Sequence, residues 1–185
     1  MKKVYIALSA DILHRGHLNI INKAQEYGEV TVGVLTDSAI ASYKRLPFLN
    51  YDHRKLIVEN IKGVHRVIKQ DSLDYVPNLL KIKPDFVVHG DDWKKGIQKK
   101  IRDNVVETLN KWGGEVIDIP YTEGISSTQL NDEIKSIGTT PNIRLKRLRR
   151  LLNAKPILRI LESHSGLTGL IAENIFIKKN DIKIE

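Results

Sequence analysis

The strongest constraint on the fold is a change of hydrophobic period that recurs five times along the chain. Brief apolar runs rich in β-branched residues, Val4–Leu8, Val30–Leu35, Val64–Ile68, Phe86–His89 and Val116–Ile119, fit strands buried on both faces. Each is followed by a segment of helical spacing: Gly16–Tyr27, Tyr51–Ile61, Leu73–Lys81, Ile97–Trp112 and Ser126–Ile137. In the fourth, Ile101, Val105, Val106, Leu109 and Trp112 return at three- and four-residue steps and make one apolar face. Gly28, Gly63 and Gly113-Gly114 stand just past expected helix ends, where a left-handed residue is commonly needed. The alternation predicts an α/β fold, a Rossmann-like five-stranded parallel sheet with helices on both faces. Such sheets bind ligands beyond the carboxyl ends of their strands, where strand order reverses.

Gly138-Thr139-Thr140-Pro141-Asn142 gathers five turn-forming residues. It divides the chain into a domain at 1–137, a linker at 138–142 and an extension at 143–185. The extension reads as a basic helix, a strand at Ile157–Leu161 and a helical run at Leu167–Phe176. One strand and one helix cannot bury enough surface to offset their ordering entropy, so the extension must dock or stay loose. The net charge of +8 is concentrated there, because residues 144–155 hold six bases and no acid. Lacking interleaved aromatics, that segment reads as a solvated or domain-docking helix, and nucleic acid is not an expected partner. The absence of cysteine excludes disulfides, thiolate metal sites and cysteine nucleophiles, and a reducing, cytoplasmic setting is expected. The first apolar run is too short for a secretory signal, and no run approaches the ~18 apolar residues that span a bilayer, so no membrane partner is expected.

Two segments carry chemistry. The first strand ends in Ser9-Ala10-Asp11-Ile12-Leu13-His14-Arg15-Gly16-His17. Two imidazoles at i and i+3 on a first helical turn can point the same way, beside backbone amides that favour anions. Gly16 between them lets a ligand or another backbone approach. A zinc pair and two surface histidines are the plainer readings, although zinc usually takes three or four protein ligands and no cluster accompanies these. The second segment, Tyr121-Thr122-Glu123-Gly124-Ile125-Ser126-Ser127-Thr128-Gln129-Leu130, opens the last expected helix. An N-cap explains one hydroxyl; three in a row after a glycine also suit a polyphosphate cradle.

With both motifs in place, the chain resembles the nucleotidyltransferases that carry His-x-Gly-His and Ile-Ser-Ser/Thr-Thr motifs, most closely the cytidylyltransferases of the glycerol-3-phosphate type. The likeness runs from Lys3 to about Ile137 and includes Tyr51-Asp52-His53-Arg54-Lys55 and His89-Gly90-Asp91-Asp92-Trp93. It implies that His14 and His17 stabilise the α-phosphate in transfer, and that Ser126, Ser127 and Thr128 bind the outer phosphates. Basic residues around the second helix also contact phosphate in this family, which points to Lys44, Arg45 and Arg54. Nucleotide contacts are further implied for Ser9, Ala10, Asp11, Gly16, Gly90, Asp91, Asp92, Tyr121, Thr122, Gly124 and Ile125. Mg2+ is the implied cofactor, with Asp11 as its candidate ligand; an Asx turn is the other reading of Asp11. Asp91 and Asp92 suit a metal, the ribose and base, or a solvated loop. Trp93 and Trp112 read as packing residues. The chain departs from the family at Leu8-Ser9-Ala10-Asp11, at Tyr121 where an arginine is usual, and in a shorter basic loop that leaves one lysine role to Lys44 or Arg45.

The extension adds a second resemblance. Leu148-Arg149-Arg150-Leu151-Leu152 and Leu161-Glu162-Ser163-His164-Ser165-Gly166-Leu167-Thr168 are similar to the opening of phosphoenolpyruvate mutases, which form a phosphonate C–P bond. This implies a fused arrangement, or its remnant, in which the tail docks on a mutase-like domain or partner. The expected reaction joins CTP to a small phosphonate or phosphate monoester, with 2-hydroxyethylphosphonate favoured as acceptor. Glycerol 3-phosphate, an adenylyltransferase on the same fold, and a non-catalytic nucleotide-binding module are the alternatives. Family members are often dimers, and a homodimer is expected.

Overall fold

The computed structural model describes residues 1–94, 97–120, 122, 141–158, 160–174, 177–179 and 182–184. Strands β1 (Lys3–Leu8), β2 (Glu29–Leu35), β3 (Val64–Gln70), β4 (Phe86–Gly90) and β5 (Glu115–Ile119) form one parallel sheet in the order β3-β2-β1-β4-β5. Helices α1 (Arg15–Gln25), α2 (Asp37–Ala41), α3 (Tyr51–Glu59), α4 (Val76–Ile82) and α5 (Ile97–Asn110) cross between or follow these strands. Each of the five runs read as a strand is one, within two residues at either end.

The central strand explains why the runs are continuous rather than alternating. Val4, Ile6 and Leu8 of β1 face Ile21 and Ala24 of α1 and Val58 of α3, whereas Tyr5 and Ala7 face Ile40, Leu79, Val105 and Leu109 on the other side. Both faces are covered, so every position of β1 from Val4 to Leu8 favours an apolar residue or one with a buried partner. Tyr5 meets this condition by donating its hydroxyl to Gln70 and accepting from Asn78 Nδ2 at 3.1 Å.

Strand order reverses between β1 and β4. Their ladder covers only Val4–Phe86 and Tyr5–Val87, while β1 stays paired with β2 to Leu8 and β4 with β5 to Gly90. The two halves of the sheet therefore part at their carboxyl ends, which opens the crevice expected of this topology.

Three features differ from the sequence reading. The single turn α2 is capped by Thr36, whose hydroxyl accepts from Ala39 N–H at 3.1 Å; five residues are too few for a helical period to register. The described residues of Ile157–Leu161 form no strand, and Ile157, Ile160 and Leu161 among them are exposed. The carboxyl-terminal strands are instead an antiparallel pair, β6 (Ile177–Lys179) and β7 (Ile182–Ile184), after helix α7 (Gly166–Asn174). The expected linker also gives up Pro141 and Asn142 to helix α6 (Pro141–Ala154), since proline's fixed φ suits a first turn.

Helix α6 contains most of the basic segment and docks on the sheet domain. Arg150 donates from Nη1 to the Phe48 carbonyl at 2.7 Å and from Nη2 to Asp37 Oδ2 at 3.1 Å. Among the described residues no helix is long and apolar enough to cross a membrane.

Candidate active site

The turn leaving β1 delivers two imidazoles to the crevice. His14 is the N-cap of α1, and its Nδ1 accepts from Gly16 N–H at 3.1 Å. His17, one turn later, accepts from His14 N–H through its own Nδ1 at 3.3 Å. The pair thus caps the helix as Ser and Glu do in a capping box, each ring satisfying an orphan amide. Because both Nδ1 atoms are acceptors, the proton of each neutral ring sits on Nε2. Gly16 is required by this arrangement, since a Cβ there would lie 2.9 Å from His14 Cε1. The rings are 4.0 Å apart at 51°.

Electrostatics keep both rings neutral. Burial, then His14 and Lys44, lowers the His17 pKa to about 4, and burial lowers that of His14. Two neutral N–H donors beside a helix N-terminus suit an anion whose charge grows during reaction.

A second group is fixed by Asp11. Buried Ala10 adopts φ 52, a left-handed turn that costs a non-glycine residue about 1 kcal/mol. Asp11 then anchors the facing loop: Oδ2 pairs with Arg45 Nη2 at 2.6 Å and Oδ1 accepts from Leu49 N–H at 3.1 Å. Arg45 also donates to the Leu46 carbonyl and lies over the Phe48 ring at 4.1 Å. Lys44 donates to Ser9 Oγ at 3.3 Å; loss of water around its ammonium and the nearby Arg45 lower its pKa. Both Asp11 oxygens are therefore engaged by the protein, in the manner of a loop anchor.

Arg54 stands apart from the other basic residues. It is wholly buried, donating from Nε to the Leu49 carbonyl at 3.1 Å, from Nη1 to the Ser9 and Leu35 carbonyls at 2.6 and 2.7 Å, and from Nη2 to Asp37 Oδ1 at 2.6 Å. These bonds tie the ends of β1 and β2 to the basic loop. Nε, Nη1 and Nη2 of Arg54 are thus all engaged by protein acceptors.

Across the crevice, β4 ends at Gly90, and Asp91 and Asp92 begin a 3-10 turn that closes at Lys94. Trp93 is buried in that turn, its Nε1 donating to Asp118 at 2.7 Å, and His89 stacks on it at 4.1 Å and 10°. Trp112 donates to the Pro84 carbonyl at 2.8 Å. Thr122 stands over α1, accepting from Asn19 Nδ2 at 3.0 Å, with its Cβ 3.6 Å from where a Gly16 Cβ would be. Tyr121, Gly124, Ile125, Ser126, Ser127, Thr128 and the helix expected at Ser126–Ile137 lie outside the described residues.

The structure thus brings Ser9, Ala10, Asp11, His14, Gly16, His17, Lys44 and Arg45 to one rim, with Gly90, Asp91 and Thr122 on the other half of the sheet. Two contributors were not read from the sequence. Asp37 holds Arg54 with one oxygen and Arg150 with the other, and its only sequence signal was its place just after a strand end. His89 enters the sequence reading only at the end of an apolar run and in the segment shared with the family, and its stacking depends on the turn that folds Trp93 back over it.

His14 and His17 stand at the switch point of a five-stranded parallel sheet, where α/β proteins of this topology bind their ligands. Residues 9–133 match the cytidylyltransferase-like family, and the chain belongs to it; it is a nucleotidyltransferase of the cytidylyltransferase kind. It is 34% identical over 146 residues to glycerol-3-phosphate cytidylyltransferase of Bacillus subtilis, covering 74% of this chain and all of that one. It is 34% identical over 130 residues to ethanolamine-phosphate cytidylyltransferase of Dictyostelium discoideum, covering 69% of this chain and 35% of that protein. FAD synthase of Ferroglobus placidus is 30% identical over 148 residues, 79% of this chain and 94% of its own length. Among solved structures, a lipopolysaccharide core biosynthesis protein from Thermoplasma volcanium superposes with a TM-score of 0.56 at 25% identity, covering 68% of this chain and 99% of that one.

Proposed function

We propose that the protein transfers CMP from CTP to a small phosphonate or phosphate monoester, with a 2-hydroxyethylphosphonate-like acceptor first and glycerol 3-phosphate as the alternative. The observation that carries this reading is the reciprocal cap of His14 and His17, which sets two neutral Nε2 protons at the mouth of the crevice. An acceptor oxygen attacks the α-phosphorus in line, forming a P–O bond as the bond to the β-phosphate oxygen breaks and pyrophosphate leaves. An anionic acceptor oxygen needs no strong base, so the protein's work is positioning and charge stabilisation. His14 and His17 donate to the α-phosphate oxygens, and Lys44 and Arg45 add charge beside them. The segment opened by Thr122 receives the outer phosphates through Ser126, Ser127 and Thr128.

Mg2+ belongs to this reading as a companion of the triphosphate. Both Asp11 oxygens have protein partners, and no group of three His, Cys, Asp or Glu residues suited to a metal occurs among the described residues. The described residues therefore offer no protein cage, and substrate phosphate oxygens and water would supply most of the ligands.

What favours a phosphonate is the likeness of the extension to the opening of phosphoenolpyruvate mutases. The FAD synthases among the relatives bring ATP into the test beside CTP. Exposed Leu145, Leu148 and Leu152 on α6 support a homodimer or docking on a mutase-like domain, which sedimentation of the full chain distinguishes from a monomer.

A pyrophosphate-release panel crosses CTP and ATP with 2-hydroxyethylphosphonate, 2-aminoethylphosphonate, glycerol 3-phosphate and phosphocholine. The reading expects CTP with 2-hydroxyethylphosphonate to be fastest. A preference for glycerol 3-phosphate selects the alternative acceptor, a preference for ATP overturns the choice of nucleotide, and nucleotide binding without turnover overturns transfer.

A further inference from the structure

Helix α6 brings two arginines to the rim that carries Lys44 and Arg45. It packs on α2, and Arg150 fastens it to the Phe48 carbonyl and to Asp37. Arg147 lies one turn earlier on the same helix, half-buried, and interacts electrostatically with Arg45, Arg150 and Asp11. The charged groups linked here are Lys44, Arg45, Arg54, Arg147 and Arg150 against Asp11 and Asp37, five cations for two carboxylates. Arg54 is occupied by carbonyls and Asp37, whereas Arg150 Nε is buried with no hydrogen-bond partner. Burial first, and then the neighbouring Arg45 and Arg150, lower the pKa of Arg147, with Asp11 opposing them. Such a cluster is completed by an anion with several acceptor oxygens.

Position identifies which anion. Thr122 lies just past β5 and bonds to Asn19 on α1, while Lys44 and Arg45 come between β2 and β3 in the chain and bond to Ser9 and Asp11 at the end of β1, close enough to His17 for Lys44 to act on its charge. In-line displacement puts the attacking and leaving groups on opposite sides of the α-phosphorus. With pyrophosphate departing on the Thr122 side, the acceptor enters from the arginine side. We propose that Arg147, together with Arg45, forms the subsite that holds the dianionic phosphate or phosphonate group of the acceptor, on a helix that Arg150 fastens in place. This rests on the transferase reading above. It makes the extension part of the site, with Arg150 positioning the helix and Arg147 touching the acceptor.

The test uses the full chain with Arg147→Gln, which removes charge at similar length, and Arg147→Lys. Losing one charge-assisted contact raises the acceptor KM by about 10- to 100-fold. The KM for CTP and the melting temperature stay near wild type, and Arg147→Lys recovers part of the loss. An unchanged acceptor KM, or an equal rise for acceptor and CTP, overturns the subsite. A second arm measures inorganic phosphate binding by calorimetry, where Arg147→Gln should abolish the heat seen with wild type; equal binding by both overturns the subsite. A wild-type chain that releases no pyrophosphate with any acceptor defeats the transferase reading alone, because the phosphate arm still decides the subsite.

Discussion

The backbone amide of His14 donates to Nδ1 of His17 at 3.3 Å, and the two rings stand 4.0 Å apart. One contact thereby ends a helix, selects a tautomer and aims a proton at the crevice. It also means that replacing either histidine disturbs structure and chemistry together, and the two must be separated.

His17→Gln separates them, because glutamine at the third helical position can still accept from the cap amide. Turnover should fall about 10²- to 10³-fold in both His17→Ala and His17→Gln, the usual loss for one preorganised donor. The CTP dissociation constant should change little, and only His17→Ala should lose about 1 kcal/mol of stability for the missing cap. Steady-state kinetics with urea unfolding reads all three, and full turnover in His17→Gln would remove the imidazole from the mechanism.

The titration of His17 has a definite sign. Its folded pKa of about 4 lies below the ordinary 6.5, so folding favours the neutral ring. That contribution to stability is complete above pH 6.5 and is lost as pH falls through about 4. Histidine-resolved NMR should place the His17 midpoint near pH 4 in the folded chain; a midpoint near 6.5 would contradict its burial.

Gly16→Ala should cost activity through His14 rather than through the helix. The new methyl would meet His14 Cε1 at 2.9 Å and Nδ1 at 3.0 Å, pushing the ring off the Gly16 amide. Alanine is otherwise the better helix former, by about 1 kcal/mol. We expect turnover to drop about 10-fold or more with no gain in melting temperature, and a more stable, fully active variant would show the ring can move without consequence.

Arg54→Met should act on stability first. It leaves the Ser9, Leu35 and Leu49 carbonyls without this donor and Asp37 with Arg150 alone. Breaking a buried ionic cluster at one member costs about 3–5 kcal/mol, which urea unfolding measures directly. A variant of wild-type stability that has lost CTP affinity would make Arg54 a phosphate ligand instead.

The order of the five strands along the chain and the presence of α1, α3, α4 and α5 were legible because hydrophobic period is a local property. So was the pairing of chemistry with place: a His-x-Gly-His segment at a strand-to-helix turn must put its rings at a helix N-terminus. What residue order could not decide is which ends of the chain meet. Arg54 looks like a surface base on an amphipathic helix until three carbonyls and Asp37 surround it, and Asp37 joins Arg150 across 113 positions. The basic segment announced a docking helix but not its dock, since like charges in sequence say nothing about the carbonyls and carboxylates that distant loops bring to them. Period fixes elements because it is set by neighbours three or four residues away. Only the packing of the sheet halves decides which charges share a rim.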